Sequence, residues 1–381
     1  MSDTIAKIIG TEVVVPAREG YVDRPAFGAS LFDKHSKWMI EVHTREGLVG
    51  YGESRRGLSE QSIKRCAQEV LGKPLLSLSW HAPIPPNLAG NDAYGHPHPP
   101  EPYRLHEVDF WAYENLGIEI AIHDLLGKKF GLRLCDLFGG AHRDVVETSW
   151  WFGRSDPEHA RRQMEIGLKQ GFTSLKFKAT VDDDVVGIIR AVKEVAGPKL
   201  PVVVDPNSRF YHLADSLAIA RDLEEFENVM FEDPVPFDIR DWQLFRQKST
   251  IPLALHHGGQ PRALVDALRE HCCDHVNLEY PAWRFLGDAH MAWRCGLTCW
   301  HGSGADLGII DTYIVQCSAA ARNCSLPGDA IGHRIRCDDL IQEELVVRNG
   351  AIQVPSGPGL GVTLDHAALN KFGRDKWELT A

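Results

Sequence analysis

The sequence is short of the features that mark secreted, membrane-bound or nucleic-acid-binding proteins. No CxxC pair occurs among its nine cysteines, an odd number in which Cys272 and Cys273 are adjacent and most others sit in apolar contexts. That pattern reads as reduced core thiols of a cytoplasmic protein, not as a zinc site or a disulfide scaffold. Basic residues are outnumbered: 41 Lys and Arg stand against 52 Asp and Glu, for a formal net charge of −11. Nucleic acid and an anionic membrane are therefore excluded as main partners, since each needs a basic face. A small anionic substrate is not excluded, because a pocket can be positive on an acidic protein. No apolar run approaches the roughly 20 residues of a membrane span. The opening MSDTIAKIIGTEVVV also lacks the charged-then-apolar layout of a signal peptide.

What is present suits a soluble globular chain. Its 381 residues allow two or three domains at roughly 150 residues each. With 44% hydrophobic residues the chain can bury a full core, which rules out disorder. Residues 4–16, 37–44 and 47–53 read as strands, the last two joined by the hairpin-like turn Arg45-Glu46-Gly47. Residues 59–72 read as an amphipathic helix, and 106–130 as a second, ending in Lys128-Lys129 with Gly131 beyond. Between them, 82–103 is rich in Pro, Gly and His and reads as a long loop, a lid or interface arm.

A rhythm then begins. Short apolar or β-branched runs start near Val145, Ser174, Pro201, Val229, Pro252, His275 and Leu297, with amphipathic stretches such as 157–170, 183–196, 213–226 and 261–271 between them. Strand, helix, strand at a short fixed period marks parallel βαβ units, and so many in a row favour a closed barrel. The expected organisation is an α+β piece over 1–139, a barrel over 140–345, and a tail over 346–381 that packs back on the first piece.

Chemistry in a parallel barrel sits where the strands end. Here six consecutive strands finish in ionisable residues: Lys176-Phe177-Lys178, Asp205-Pro206-Asn207, Glu232-Asp233-Pro234, His256-His257, Glu279, and Trp300-His301. Lys176 and Lys178 share one strand face, and repulsion between their ammonium groups is expected to lower the pKa of the more buried one towards a base's working range. Asp205 and Glu232, on neighbouring strands, can converge on a hard cation such as Mg²⁺. Asp233 suits a helix N-cap. Asn207 is read as a substrate contact. His301 beside Glu279 makes a second acid/base pair opposite the lysines. The loop from Gly302 to Gly308 can hold a carboxylate on its free amides.

This constellation resembles the mandelate racemase and muconate-lactonizing branch of the enolase superfamily over essentially the whole chain. The resemblance is carried by Ala121-Ile122-His123-Asp124-Leu125-Leu126-Gly127-Lys128 through Leu137-Phe138-Gly139-Gly140, by Lys-x-Lys, Asp-Pro-Asn and Glu-Asp-Pro, and by Gly357-Pro358-Gly359-Leu360-Gly361. It implies an α/β fold, a (β/α)7β TIM-like barrel with an N-terminal α+β capping domain completed by the C-terminal tail. It also implies Mg²⁺ held by carboxylates on strands three, four and five, abstraction of the proton α to a substrate carboxylate, and assembly into a homo-oligomer. Lys176, Lys178, His301 and Glu279 are then the catalytic residues, and Asp205, Glu232 and His257 the metal ligands.

The chain departs from the pattern at strand five, where the family carries Asp or Glu and this chain has His256-His257. Imidazole is a poor ligand for Mg²⁺ and a better one for Mn²⁺ or another divalent ion. Glu279 replaces the strand-six lysine of the muconate and dipeptide-epimerase subgroups, which disfavours those chemistries. The acidic member of the racemase dyad is normally Asp, and register decides whether His301 or Asp306 takes the position after strand seven. Loops 17–30 and 53–57 are expected to set specificity through Arg18, Tyr21, Arg24, Arg55 and Arg56. Tyr21, Arg24, Asn207, His256 and Asp306 are the expected contacts to a small anionic carboxylate. Dehydration of a sugar acid leads, ahead of racemisation or epimerisation and of a non-catalytic, metal-deficient protein.

Overall fold

The computed structural model describes residues 3–19, 36–78, 105–257 and 261–381, the side chains of 105–114 and 261–262 apart. Loop 82–103, Tyr21 and Arg24 lie outside the described residues. Three antiparallel strands open the chain: β1 (Ile5–Val13), β2 (Lys37–Thr44) and β3 (Val49–Glu53). The helix Glu60–Val70 follows, and Ile63, Cys66, Ala67 and Val70 form its buried stripe at helical spacing. Its first turn is capped by Ser59, whose hydroxyl accepts from the Ser62 amide at 3.1 Å. The helix Leu105–Phe130 lies directly on β3. The approach needs glycine, because a Cβ on Gly52 would stand 1.8 Å from the Gly117 carbonyl oxygen.

The rest of the chain is an α/β fold. Strands β4 (Val145–Glu147) and β5 (Trp150–Phe152) are followed by β6 (Leu175–Lys178), β7 (Val202–Asp205), β8 (Val229–Glu232), β9 (Leu253–His257), β10 (His275–Leu278) and β11 (Thr298–His301). From β5 to β11 they form one parallel sheet in sequence order. Each is short and largely buried, as expected where helices cover the strands. The helices Pro157–Lys169, Val185–Ala196 and Ile239–Lys248 start on side-chain caps that the sequence supplies. Asp156 accepts from the His159 amide ahead of Pro157, and Asp238 accepts from the amides of Arg240 and Asp241. Residues 323–329 run beside both ends of the sheet. The Cys299 amide donates to Asn323 and the Asp329 amide to His301, while the Ser149 amide donates to Gly328 and the Gly328 amide to Glu147.

Two features differ from the sequence reading. The run at Val145 does not start the parallel sheet: β4 leaves it to pair with β13 (Ala351–Gln353), which also pairs with β12 (Val347–Arg348), and β5 is the first parallel strand. The tail therefore divides. Residues 347–353 join β4, and only β14 (Gly373–Thr380) returns to the first sheet, antiparallel to β1. Asp233 does not cap a helix either. It sits at φ 43° and accepts from the His256 amide at 2.9 Å, tying the end of β8 to β9.

A buried ion cluster joins the two parts. Lys37, at the start of β2, contacts Glu53 and lies 2.6 Å from Asp306. Glu53 also accepts from the amides of Leu307 and Ile310, at the start of the helix Gly308–Ala320, each at 2.8 Å. Asp306 accepts from Tyr280 and from the Gly304 amide. None of the three charged residues is more than 2% exposed. Nothing in strand periodicity marks this cluster. Its one sequence signal is a lysine directly ahead of the apolar run Trp38-Met39-Ile40.

Candidate active site at the strand ends

Register decides which side chains share the mouth. Parallel neighbours in register project to the same face. Trp151 pairs with Lys176, Lys178 with Asp205, Glu232 with Ala254, and Asn277 with both His256 and Trp300. These residues face inward, around a cavity of about 260 Å³ lined by Trp151, Lys176, Lys178, Asn207, His256, Asn277, Glu279 and Asp329. Arg55 and Arg56, just beyond β3, also line this cavity, as do Arg209 and Ser303.

At the floor, Lys176 is surrounded by carboxylates: 2.7 Å from Glu232, 2.8 Å from Asp329 and 3.2 Å from Asp205. Burial disfavours its charge, but the three carboxylates outweigh burial and hold its pKa well above the ordinary lysine value. The expected depression of the more buried lysine is thus reversed: Lys176 is the more buried of the pair, and its nearest groups are anions. Lys178, 13% exposed at its side chain, contacts Asp205 and donates to Asn207 Oδ1 at 2.8 Å. Asn207 is held at φ 46°, a left-handed conformation that asparagine tolerates better than most residues. Burial would raise Asp205, yet Lys178 and Lys176 hold it below the usual carboxylate range. Glu232 goes the other way, pushed up to about 7 by burial and by the charge of Asp205, with Lys176 opposing.

The second charged group is on β9, and the structure moves it. His256 Nε2 lies 3.0 Å from Glu279 and its Nδ1 lies 3.5 Å from Glu232. Burial alone would lower its pKa, but the hydrogen bond and charge of Glu279, with Glu232 and Asp233, push it up to about 9. Burial likewise works to raise Glu279, but Arg55 at 3.4 Å and His256 hold it below the usual range.

Three expected roles are not met by this geometry. His257 was expected as a metal ligand but projects to the opposite face of β9, where its Nε2 lies 3.1 Å from Arg284 and 3.3 Å from Asp288. His301 was expected opposite the lysines, paired with Glu279. It pairs in register with Leu278, on the outward face of β11, between the rings of Phe285 and Tyr280 at 4.4 and 5.7 Å. Its Nδ1 donates to the Gly302 carbonyl, and burial pushes its pKa down to about 4. The partner of Glu279 is therefore His256. Asp306, expected to touch substrate, is 2% exposed and taken up by Lys37. Arg18 is likewise engaged away from the mouth, donating to the Arg336 carbonyl.

Sequence reasoning missed Asn277 and Asp329. Asn277 Nδ2 donates to Glu232 at 2.7 Å. Its place two residues before Glu279 on one strand was a usable signal. Asp329 follows the irregular segment 323–328, which carries no strand pattern of its own.

A family model described as Enolase C-terminal domain-like matches residues 159–368, more than half of the chain. The chain belongs to the enolase superfamily. Its relatives place it on the mandelate racemase and muconate-lactonizing branch. It is 27% identical over 376 residues to the chloromuconate cycloisomerase of Cupriavidus pinatubonensis, covering 91% of this chain and 94% of that protein. It is 24% identical over 346 residues to the arabinonate dehydratase of Saccharolobus solfataricus, covering 87% and 89%. The solved L-talarate dehydratase from Polaromonas sp. JS666, complexed with Mg and L-glucarate, superposes with a TM-score of 0.78 at 18% identity and covers 100% of both chains. The superfamily relatives are thus enzymes of several reaction types. No helix among the described residues is long and apolar enough to cross a membrane.

The magnesium of that relative provides a test of the donor set here. Among the described residues, no group of three or more His, Cys, Asp and Glu side chains is arranged to hold a metal ion. The three carboxylates that converge, Asp205, Glu232 and Asp329, all face the ammonium of Lys176, and the strand-five position that faces them is the imidazole of His256. A hard cation seeks oxygen ligands and excess negative charge. The residues present do not fit one.

Proposed function

We propose that this enolase superfamily member removes the proton α to the carboxylate of a small hydroxylated acid, and that the reaction is dehydration of a sugar acid. The barrel of this reading is (β/α)7β, with residues 323–329 as its last strand and 1–139 as the cap. The hydrogen bonds of that segment to β11 on one side and to Glu147 and Ser149, just ahead of β5, on the other support it. One observation carries the functional reading: Lys178 and the His256–Glu279 pair line one cavity from strands three apart in the sheet.

The chemistry follows from the positions. An α-proton beside a carboxylate is weakly acidic, so its removal requires fixed positive charge around the dianion that forms. Arg56 and Arg209, which line the cavity, supply that charge, while Lys176 is committed to the three carboxylates around it. Lys178 is less buried and takes the proton on its amine nitrogen, while the electron pair of the broken C–H bond moves into the carboxylate. As that pair returns, the β-carbon–oxygen bond breaks, and His256 gives its proton to the departing hydroxyl, which leaves as water. The enol that remains becomes a 2-keto acid. The dehydratases among the relatives support the sugar-acid class. No step runs through magnesium or manganese, because the donor set does not fit a divalent ion.

The test is incubation of the protein in deuterated water with a panel of sugar acids, following α-hydrogen exchange and 2-keto acid formation. At least one acid is expected to give both. Lys178→Ala should abolish exchange, whereas His256→Asn should retain exchange and lose the keto product. Exchange without keto product in the parent protein would instead make it a racemase or epimerase. No exchange with any acid would overturn the catalytic reading.

A further inference from the structure

Three of the four oxygens of Asp205 and Glu232 accept a hydrogen bond from the chain itself, and the fourth lies against an ammonium group. Asp205 Oδ1 accepts from the Asn207 amide at 3.0 Å, and its Oδ2 faces Lys178 and Lys176. Glu232 Oε1 accepts from Asn277 at 2.7 Å, and its Oε2 lies 2.7 Å from Lys176. The strand-five residue that points at them is His256, and both its ring nitrogens face carboxylate oxygens, of Glu232 and Glu279. A divalent ion among these carboxylates would have to take the place that the Lys176 ammonium already holds between Asp205, Glu232 and Asp329, with Lys178 and the His256 imidazole beside it.

We propose that Lys176 and His256 stand in place of a divalent cation at this site, so that the chain neutralises Asp205 and Glu232 with its own side chains and binds no Mg²⁺ or Mn²⁺ there. This rests on the functional reading above only for where substrate would lie, and its test reads metal binding and is blind to turnover. One residue is identified as the switch. Exchanging His256 for a carboxylate would restore an oxygen ligand and a negative charge together, whereas the same exchange at His257 would place them on the opposite face, beside Asp288.

The experiment is calorimetric titration of the full chain, stripped with EDTA and dialysed, with MgCl₂ and with MnCl₂. The parent protein is expected to show no saturable binding up to about 10 mM of either ion, beyond the weakest range of dedicated calcium modules. His256→Asp and His256→Glu, with folding checked by circular dichroism, are expected to bind Mn²⁺ or Mg²⁺ at least about tenfold more tightly than the parent, as added ligand charge tunes affinity. His257→Asp should behave as the parent. Saturable binding by the parent anywhere below about 10 mM would overturn the proposal. So would folded His256 variants that bind no better than the parent. Should neither variant fold, the parent titration decides alone.

Discussion

Glu119, on the helix Leu105–Phe130, carries the clearest consequence of a single residue's surroundings. It is 2% exposed and meets the Tyr313 hydroxyl at 3.2 Å and His123 at 3.8 Å. Burial pushes its carboxyl from an ordinary 4.5 up to about 8, against the hydrogen bond from Tyr313. Between those two values the native state keeps a proton that the unfolded chain has lost, so folding stability from this group falls as pH rises from about 4.5 to 8. Glu119→Gln should remove that slope and exceed the parent in stability at pH 8 by on the order of 3 kcal/mol. Urea melts of both proteins at pH 5 and pH 8 measure it, and equal slopes in the two would refute the buried-acid account. The same scale explains the lysine pair: spacing placed Lys176 and Lys178 on one face, but which charges surround each ammonium is set by residues up to 153 positions away, as with Asp329.

At the level of elements, two glycines separate close packing from mere conformational freedom. β3 meets the helix Leu105–Phe130 backbone to backbone, with no room for a Cβ at Gly52. Gly52→Ala must push strand and helix apart, and overpacking of this kind costs roughly 1–3 kcal/mol. Gly287, inside the helix Ala282–Arg294, has nothing within 4 Å of its would-be Cβ. There Gly287→Ala should stabilise by about 0.5–1 kcal/mol, since alanine is the better helix former. Thermal melts should therefore move in opposite directions for the two variants. A shared direction would mean that the strand–helix contact relaxes freely.

For the whole molecule, the Lys37–Glu53–Asp306 cluster is one of the ties between the first sheet and the loop beyond β11. Removing one member of a buried ion cluster strands the others. Lys37→Met should cost roughly 3–5 kcal/mol in a denaturant melt, and adding Asp306→Asn should recover part of that loss. Loss of the same energy in Asp306→Asn alone, with no recovery in the double variant, would show that the two side chains do not act together. Because Gly304 and Ser303 of this loop line the cavity, weakening the cluster should also raise KM for any substrate the protein is found to turn over.

The order of strands and helices, the parallel sheet and the residue types at its mouth were legible in the chain itself, because burial patterns and helix caps are local and because six strands ended in ionisable residues. Period-two alternation also placed Lys176 with Lys178. Alternation is silent, however, where two candidates are adjacent or where the strand frame is unknown by one residue, and a one-residue slip exchanges the faces. Only the tertiary register put His256 in the mouth and His257 outside it, turned His301 towards Phe285, and gave Glu279 to His256. Lys37 and Asp306 meet across 269 residues, and no local pattern encodes that meeting. The sequence by itself determined which chemical groups this protein carries to its strand ends. The tertiary structure decided which of them face one another, since that depends on pairing between strands and on contacts between domains.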